Sequence, residues 1–424
     1  MKPFLSICIF FLVFAVSAQD IYLHCGSVMD TQTGKISSDK TIIVSGNSIT
    51  SIINGYVNGS NTDTVIDLKN KVVLPGLIDM HVHIENEFNP RTYVKQFTSN
   101  PADVAFESTV YAKRTLLAGF TTVRDLGGSG VNIALRNAIN KGLVDGPRIF
   151  TAGKALATTG GHADPTNGYR NDLMGDPGPK EGVVNSVDDA KKAVRQRYKN
   201  GADVIKITAT GGVLSVAKSG QNPQFTLDEI KAITSTAKNY GFSVAAHAHG
   251  DEGMKLAVLG GVQTIEHGTL MSKETMALMK EYNCFVIPTI SAGKQVAEKA
   301  KIPGFFPEVV AKKALDIGPK HSAKIGEFYK NGVPMGFGTD AGVFPHGKNA
   351  IEFGYLLEAG IPVKESLKAA TVTNAKLLGM ETQLGQLKEG FLADIIAVDE
   401  NPMKNVKTLE KVVFVMKDGK VYKN

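Results

Sequence analysis

Six side chains that could bind a metal ion or move a proton each lie at or near the end of a short apolar run. They are His81, His83, Lys206, His247, His267 and Asp340. Neutral imidazole and carboxylate are common ligands of zinc and neighbouring divalent ions. A single histidine at a strand end is more often structural than a ligand, so it is the complete set that predicts a metal centre.

Two of these runs contain paired histidines. In His81-Val82-His83 the outer residues share one face of a strand, so both imidazoles project together. In His247-Ala248-His249 the same spacing leaves open which histidine is the ligand. A pair of strand histidines can also lie at the surface, so neither pair alone defines a site.

Lys206 lies inside the apolar run Asp203–Ala209. Burying a charged lysine is costly, and burial lowers its pKa. A neutral amine can react with carbon dioxide to give a carbamate, an anion whose two oxygens can bridge two metal ions. The alternative is a lysine that reaches a polar outer layer along its apolar stem.

The elements that must position these residues alternate between short apolar runs and helical patterns, with turn residues between them. This order is typical of βαβ units and parallel sheets. The predicted strands are Val72–Val82, Phe120–Asp125, Pro147–Gly153, Asp203–Ala209, Phe242–His249, Val262–His267, Cys284–Thr289 and Val333–Asp340. The predicted helices include Val104–Ala118, Val187–Lys199, Leu227–Tyr240, Glu252–Leu259 and Lys273–Tyr282. Eight such units predict an α/β fold of the (β/α)8 TIM-barrel type, whose active sites lie at the carboxyl ends of the strands.

The two ends of the chain have a different predicted secondary structure from the middle. Short strands and turns without helices are predicted for Ile21–Asp67 and Leu384–Tyr422. We expect residues 19–73 and 384–424 to form a small composite β-sandwich beside a barrel of residues 74–383. Cys25 and Cys284 lie in apolar, strand-like contexts and are predicted to be buried free thiols. Two cysteines in so long a mature chain do not make a disulfide framework.

Residues 1–18 have the pattern of a secretory signal peptide. Lys2 is followed by the apolar run Phe4–Val16 and by the small-residue cleavage pattern Val16-Ser17-Ala18. The alternative is a membrane anchor, but the run is too short to span a bilayer comfortably. We therefore expect an exported product, periplasmic or secreted, without a stable membrane anchor after cleavage.

Charge and composition exclude one class of partner. The net charge is +6 over 424 residues, with no basic stripe interleaved with aromatic residues, so we expect no nucleic-acid binding. The sequence leaves the oligomeric state open, and a homo-oligomer is one of the alternatives.

The residues around the candidate ligands resemble the amidohydrolase superfamily. The similar segments are Leu74–His83, Ile265–Gly268, Gly338–Gly342 and the C-terminal Gly390–Ile395. Thr159–His162 and His247–Gly250 look most like the imidazolonepropionase-related branch, which contains Xaa-Pro dipeptidases (prolidases), Xaa-Arg dipeptidases and ochratoxin-type amidases.

The resemblance implies a two-metal hydrolase. One divalent ion would be held by His81, His83 and Asp340, and a second by His247 and His267. A carboxylated Lys206 and a hydroxide would bridge the two ions. Zinc is the expected metal, and the ligand types also permit manganese or cobalt. Asp340 would take the proton of the attacking water and pass it to the leaving amine.

Four further residues are candidates for contact with a substrate. His162 lies in the long loop Ala157–Asn185 and is expected to contact the scissile carbonyl or a substrate carboxylate. Tyr169, Arg170 and His346 lie in loops at the same face, although a solvated loop side chain is the plainer interpretation of each. His24 and His321 lie away from strand ends and are read as structural.

The function that follows is hydrolysis of amide bonds in small substrates, and dipeptides such as Xaa-Pro, Xaa-basic or Xaa-hydrophobic are expected. The alternative is a deaminase or a cyclic-amide hydrolase of the imidazolonepropionase type, which uses one metal and lacks the lysine of the fourth strand. A binding protein that has lost catalysis is disfavoured, because all six candidate ligands are present.

Overall fold

The computed structural model of the chain describes residues 19–424, and the predicted signal peptide lies outside the described residues. The strands are β1 (Ile21–Met29), β2 (Ile36–Ser45), β3 (Ser48–Asn54), β4 (Thr64–Pro75), β5 (Leu77–Val82), β6 (Phe120–Asp125), β7 (Arg148–Thr151), β8 (Ile205–Thr208), β9 (Val244–Ala248), β10 (Thr264–His267), β11 (Phe285–Ile287), β12 (Ile395–Val398), β13 (Phe414–Lys417) and β14 (Lys420–Lys423).

Most helices lie between the strands of the middle of the chain. They are α1 (Thr92–Thr98), α2 (Pro101–Leu117), α3 (Val131–Asn140), α4 (Asn171–Met174), α5 (Val187–Asn200), α6 (Leu227–Asn239), α7 (Asp251–Leu259), α8 (Lys273–Glu281), α9 (Ile290–Ala300), α10 (Glu308–Lys330), α11 (Ile351–Glu358), α12 (Val363–Lys368) and α13 (Asn374–Leu377). Within residues 19–424, none of the helices is both long enough and apolar enough to cross a bilayer.

Helix α6 illustrates how local sequence fixes these elements. Thr226 and Glu229 form a capping box that satisfies backbone N–H groups at its start. Ile230, Ile233 and Ala237 then recur at helical spacing and are buried against the core. The five helices predicted from the sequence are all present, with ends that differ by at most three residues.

Seven of the eight predicted strands form two parallel sheets. The first has the order β5-β6-β7, and the second has the order β11-β10-β9-β8. Leu156, just beyond β7, donates a hydrogen bond to the carbonyl of Lys206 at 2.8 Å and accepts one from Thr208 at 3.0 Å. These two bonds connect the first sheet to the second.

The eighth predicted strand, Val333–Asp340, is not formed as a regular strand, so that prediction was wrong in detail. We call these residues the eighth segment. Its backbone still lies between β11 and β5, because single parallel bridges join Met335 to Val286 and Ala341 to Val82. The assigned sheets therefore do not themselves show a closed eight-stranded barrel.

The physical reason for the irregular segment is a side chain that binds its backbone. Asn374 accepts a hydrogen bond from the N–H of Phe337 at 3.1 Å and donates one to its carbonyl at 2.8 Å. It also donates to the carbonyl of Ile78 at 2.8 Å. The N–H of Phe337 therefore binds a side-chain amide instead of a neighbouring strand, although its carbonyl still accepts the N–H of Met80 at 3.0 Å. Asp340 ends the segment with a left-handed φ of 61°.

The two chain ends meet in one mixed sheet of seven strands, in the order β14-β13-β12-β4-β1-β2-β3. Its centre is β4, which pairs in parallel with β1 and antiparallel with β12. The predicted association of the two ends is confirmed, but the assigned structure is a single sheet rather than the two packed layers of a sandwich. Cys25 and Cys284 are buried and free, as predicted.

Replacing Asn374 with alanine should destabilise the protein, because three buried hydrogen bonds to backbone groups are lost together. We expect the free energy of unfolding to fall by about 3 kcal/mol, since each unsatisfied buried group costs about 1–3 kcal/mol. Denaturant-induced unfolding of the purified protein measures this.

The matched control is Asn331→Ala, because Asn331 is exposed and its side chain bonds only to the carbonyl of Glu327 at 2.8 Å. It should change stability by less than about 1 kcal/mol. Equal losses for the two variants would contradict a bridging role for Asn374.

Candidate metal centre

The end of β5 supplies two imidazoles held in fixed orientations. The Nδ1 atom of His81 is 2.8 Å from Oε2 of Glu266, and the Nδ1 atom of His83 is 2.8 Å from the carbonyl of Gly127. Both Nε2 atoms approach Oδ1 of Asp340, at 3.5 and 3.4 Å. The sequence pattern His81-Val82-His83 therefore forms one side of a site that Asp340 completes.

Asp340 is brought to these histidines by bonds between β5 and the eighth segment. Its N–H donates to the carbonyl of His81 at 2.7 Å. The buried carboxylate of Asp79 accepts the hydroxyl of Thr339 at 2.6 Å and the N–H of His81 at 3.0 Å. The Oδ1 atom of Asp340 is buried and forms no hydrogen bond within the described part of the chain. An orphaned carboxylate oxygen aimed at two imidazoles suits a cation.

A second group of imidazoles comes from β9 and β10. One nitrogen from each of His247, His249 and His267 lies within 4.8 Å of the others. The Nδ1 atoms of His249 and His267 are held by the hydroxyls of Thr269 and Thr289, at 2.8 and 2.7 Å. The structure thus brings His247 and His267 together as predicted, and it also keeps His249 as an alternative ligand.

Lys206 projects from β8 into the same cavity and is 4% exposed. Burial lowers the pKa of its amine, and the charges of Glu266 and Asp340 oppose that shift. The expected alternative, a lysine reaching an outer polar layer, is not what the structure shows.

The imidazoles of the site are in the form that binds metals. Burial lowers the pKa of His83 to about 4 and holds those of His81, His247 and His267 well below the usual value. They are therefore neutral at pH 7, with a lone pair available for coordination. Neutral imidazoles around a buried carboxylate fit a divalent metal ion.

Two residues that the sequence reasoning missed support His81 from behind. Glu266 accepts a hydrogen bond from Nη2 of Arg124 at 2.8 Å, and Arg124 donates from Nε to the carbonyl of Met80 at 2.8 Å. Both charged side chains are essentially without solvent exposure. The signal was present, because each is a charged residue inside an apolar run, as Lys206 is.

The four predicted substrate contacts fall into two groups. His162 and Tyr169 line the cavity. The His162 ring stacks on His247 with ring centroids 4.4 Å apart, and its Nδ1 atom is buried without a hydrogen bond in residues 19–424. Burial lowers the pKa of His162 to about 3, so it is a neutral donor or acceptor.

Arg170 and His346 do not line the cavity, so the structure does not support the contacts expected for them. Arg170 is exposed and pairs with Asp172 at 2.6 Å, where the charge is solvated. His346 is buried against Tyr111 and bonds to the carbonyl of Asn86 at 2.8 Å, so it fills a structural role.

The two histidines read as structural also differ. His24 bonds to the carbonyl of Val57 at 2.8 Å in the end sheet. His321 lines the cavity and bonds to the carbonyl of His267 at 3.1 Å, so it supports a candidate ligand through the backbone.

The cavity that contains these groups has a volume of about 690 Å³. It is lined by all six candidate ligands together with His162 and Tyr169. Cavities of this size hold small organic ligands. The arrangement can thus place a small substrate directly against imidazoles that could hold a metal ion and against the buried carboxylate of Asp340.

Comparison with known proteins identifies relatives of this arrangement. Residues 72–423 match the family model described as the amidohydrolase family. The ochratoxinase of Aspergillus niger is 32% identical over 371 residues, covering 83% of this chain and 76% of that protein.

Two solved structures are similar along almost the whole chain. One is a Xaa-Pro dipeptidase with methionine bound in its active site, 49% identical, with a TM-score of 0.93, covering 96% of this chain and 100% of that one. The other is a prolidase complexed with N-methylphosphonate-L-proline, 32% identical, with a TM-score of 0.88, covering 96% and 100%. The resemblance stated from the sequence is confirmed.

Replacing Glu266 with glutamine should weaken metal binding, because the carboxylate that orients His81 becomes a neutral amide. We expect a loss of about 10- to 100-fold in metal affinity. The variant should also be less stable by about 3 kcal/mol, because Arg124 is left buried without its counter-charge. Metal titration and denaturant unfolding of the metal-free protein measure the two effects separately.

The matched control is the double variant Glu266→Gln with Arg124→Gln, which removes both charges. It should regain part of the lost stability while keeping the weakened metal affinity. Unchanged metal affinity in both variants would show that Glu266 only supports the fold.

Proposed function

Since the chain belongs to the amidohydrolase family and is a hydrolase of amide bonds, we propose that its substrates are dipeptides. Xaa-Pro dipeptides are among the substrates that we expect. The observation that carries the proposal is the burial of Lys206 in one cavity with both groups of imidazoles and Asp340. The names of the similar solved structures, a Xaa-Pro dipeptidase and a prolidase, support the same substrate class.

Two metal ions, zinc in the first instance, are part of this proposal. His81, His83 and Asp340 would hold one ion, His247 and His267 the other, and a carboxylated Lys206 would bridge them. Bound divalent ions lower the pKa of water and polarise the scissile carbonyl. The lowered pKa of Lys206 supports carboxylation, because the neutral amine is the reactive form.

Asp340 is the group placed to move the proton. Burial raises the pKa of its carboxyl, and the charge of Lys206 opposes this rise. Its Oδ1 atom faces His81 and His83, where it would bind a metal ion, which leaves the second carboxylate oxygen to accept a proton from the attacking water. That second oxygen then delivers the proton to the leaving amine, which departs as a neutral group.

His162 is placed to orient the substrate. Its ring stacks on His247 with ring centroids 4.4 Å apart, and its backbone N–H donates a hydrogen bond to Oε1 of Gln224 at 2.8 Å, which holds this part of the loop. Because the neutral ring has an unused buried nitrogen, it can donate a hydrogen bond to the substrate carbonyl or to its carboxylate.

Two wider proposals carry over from the sequence. The segment of residues 1–18 supports export by a cleaved signal peptide. The backbone bonds that join the two parallel sheets through Leu156 and through residues 334–341 support closure into a (β/α)8 barrel.

The second candidate function is a one-metal deaminase or cyclic-amide hydrolase. One observation favours it: ligand atoms of His81, His267 and Asp340 lie within 4.8 Å of one another, a compact set that one ion could fill. The number of metal ions per chain therefore discriminates between the two candidates.

The dipeptidase proposal predicts that the purified, metal-loaded chain hydrolyses members of a dipeptide panel. Asp340→Asn should lower kcat by about 10²- to 10⁴-fold, because the proton carrier is lost. Asp172→Asn, at an exposed position whose ion pair within residues 19–424 is with Arg170, should leave kcat unchanged. Absence of turnover for every dipeptide and every N-acyl amino acid would contradict the dipeptidase proposal.

Metal counting tests the role of Lys206. We expect about two ions per chain in the original sequence, consistent with two-metal hydrolases, and fewer in Lys206→Met, measured by elemental analysis after removal of free metal. Lys154→Met, which changes another lysine of the same cavity, should leave the count unchanged. One ion per chain with an unmodified Lys206 would support the second candidate instead.

A further inference from the structure

A contiguous group of apolar side chains lines part of the cavity that holds the candidate ligands. This apolar wall consists of Phe88, Val213, Leu214, Val296, Ala314 and Val343. Its members come from the loops after β5 and β8, from α9 and α10, and from the loop after the eighth segment. They belong to a hydrophobic cluster separate from the main core, so they are not simply core residues that reach the surface.

Part of this wall is incompletely covered by protein. Phe88, Val213 and Leu214 are half-buried, although each packs against other members of the cluster. The Phe88 ring meets Tyr93 edge-on at 5.5 Å. Apolar surface of this kind, facing a cavity, is stabilised when an apolar group covers it, by about 25 cal/mol for each Å² removed from water.

The wall begins directly beside the reacting groups. The N–H of Val343 donates to the carbonyl of Asp340 at 3.1 Å. On the other side, the carbonyl of Gly211 contacts Nε2 of His247 at 3.2 Å, only three residues before Leu214. A substrate whose scissile amide lies at the candidate ligands therefore places a neighbouring side chain against the wall.

The carboxylates that line the cavity are engaged by other groups and are not part of the apolar wall. Glu85 already accepts two backbone N–H groups at the start of α3, at 2.6 and 2.5 Å. Glu107 pairs with Lys95 at 2.6 Å, and Glu181 accepts the N–H of Gly178 at 3.2 Å. Each of these lining carboxylates has its own donor, and the apolar wall itself contains no charge to pair with lysine or arginine.

The loop that carries part of the wall is fastened by a buried cation. The Nζ atom of Lys313, on α10, donates to the carbonyls of Gly212, Ser215 and Ala217 at 2.7, 2.6 and 2.8 Å. The hydroxyl of Tyr93 adds a bond to the carbonyl of Leu214 at 2.9 Å. Val213 and Leu214 therefore present a fixed surface, not a mobile one, to the cavity.

We propose that the enzyme selects substrates with a bulky apolar side chain, such as leucine, methionine or phenylalanine, beside the scissile amide. That side chain is seated against the apolar wall, and Lys313 is a positioning residue that fixes the wall. The inference rests on the proposed dipeptidase function and narrows its substrate class. Basic and acidic side chains at the same position are selected against.

The test is a matched panel of dipeptides in which one position varies among leucine, methionine, phenylalanine, lysine, arginine and glutamate, with the set repeated for the other position. At one of the two positions, kcat/KM should be about tenfold or more higher for apolar side chains than for charged ones. Equal values for leucine and lysine at both positions would overturn the inference. Absence of hydrolysis of every dipeptide would instead overturn the proposed function, so the two failures are distinguishable.

Leu214→Glu tests the wall itself. It should lower kcat/KM for the leucine substrate by about tenfold or more and raise it for the lysine substrate, because a carboxylate now faces the seat. The matched control is Leu315→Glu, since Leu315 lies on α10 next to Ala314 but is 48% exposed and outside the cavity. Unchanged selectivity in Leu214→Glu would contradict the assignment.

Lys313→Met tests the fastening of the loop. It should raise KM for the leucine substrate more than it lowers kcat, and it should expose residues 211–217 to limited proteolysis. Lys313→Arg should partly restore both properties, and Tyr93→Phe, which removes a single bond to the loop, should reproduce the KM effect more weakly. Retention of apolar selectivity and protease resistance in Lys313→Met and Tyr93→Phe would overturn the positioning role.

Discussion

The ion pair between Arg124 and Glu266 is the interaction on which the site depends most. It links β6 to β10, and thus one parallel sheet to the other, across an interior without solvent. A buried pair of this kind is tolerated only when further hydrogen bonds satisfy the remaining atoms. Here the carbonyl of Met80 and the hydroxyl of Thr264 supply most of them, although Nη1 of Arg124 has no partner within residues 19–424. The second carboxylate oxygen of Glu266 binds His81. One hydrogen-bond network therefore both joins the two sheets and orients the candidate ligand His81.

Three of the six non-glycine residues with positive φ in residues 19–424 lie at strand ends beside the candidate site. His267, Thr289 and Asp340 have positive φ angles of 72°, 54° and 61°, in a region that non-glycine residues rarely adopt. Each such residue costs on the order of 1–3 kcal/mol and persists only where its surroundings enforce it. The bond between His267 and Thr289 is part of that enforcement, as are the contacts of Asp340 with β5. The turns at His267 and Asp340 aim a side chain into the cavity, and the turn at Thr289 places its hydroxyl against the His267 ring.

The candidate ligands could be predicted from the sequence because their signal is local: a polar residue at or near the end of an apolar run. The helices were predictable for the same reason, as Thr226 and Glu229 mark the start of α6 on their own.

What could not be predicted depends on residues distant in the chain. The eighth strand is irregular because Asn374 binds Phe337, and Arg170 is drawn to Asp172 instead of a substrate. Glu266 carried the local signal of a charged residue inside an apolar run, but its role could not be predicted because its partners, Arg124 and His81, lie on other strands. The apolar wall also had no sequence signature, since its members come from five separate segments.

The position of β4 in the end sheet has a consequence for the order of events during synthesis. One edge of β4 pairs with β1, which precedes it, but the other pairs with β12, so that Val73 faces Ala397. While the ribosome is still making the intervening segment, that second edge has no native neighbour and its backbone groups are unpaired. Exposed edges of this kind recruit other strands, and contacts between distant residues form slowly. The nascent chain thus has an unpaired β4 edge, open to pairing with other strands, for most of its translation. The strand that covers this edge, β12, is among the last to be made.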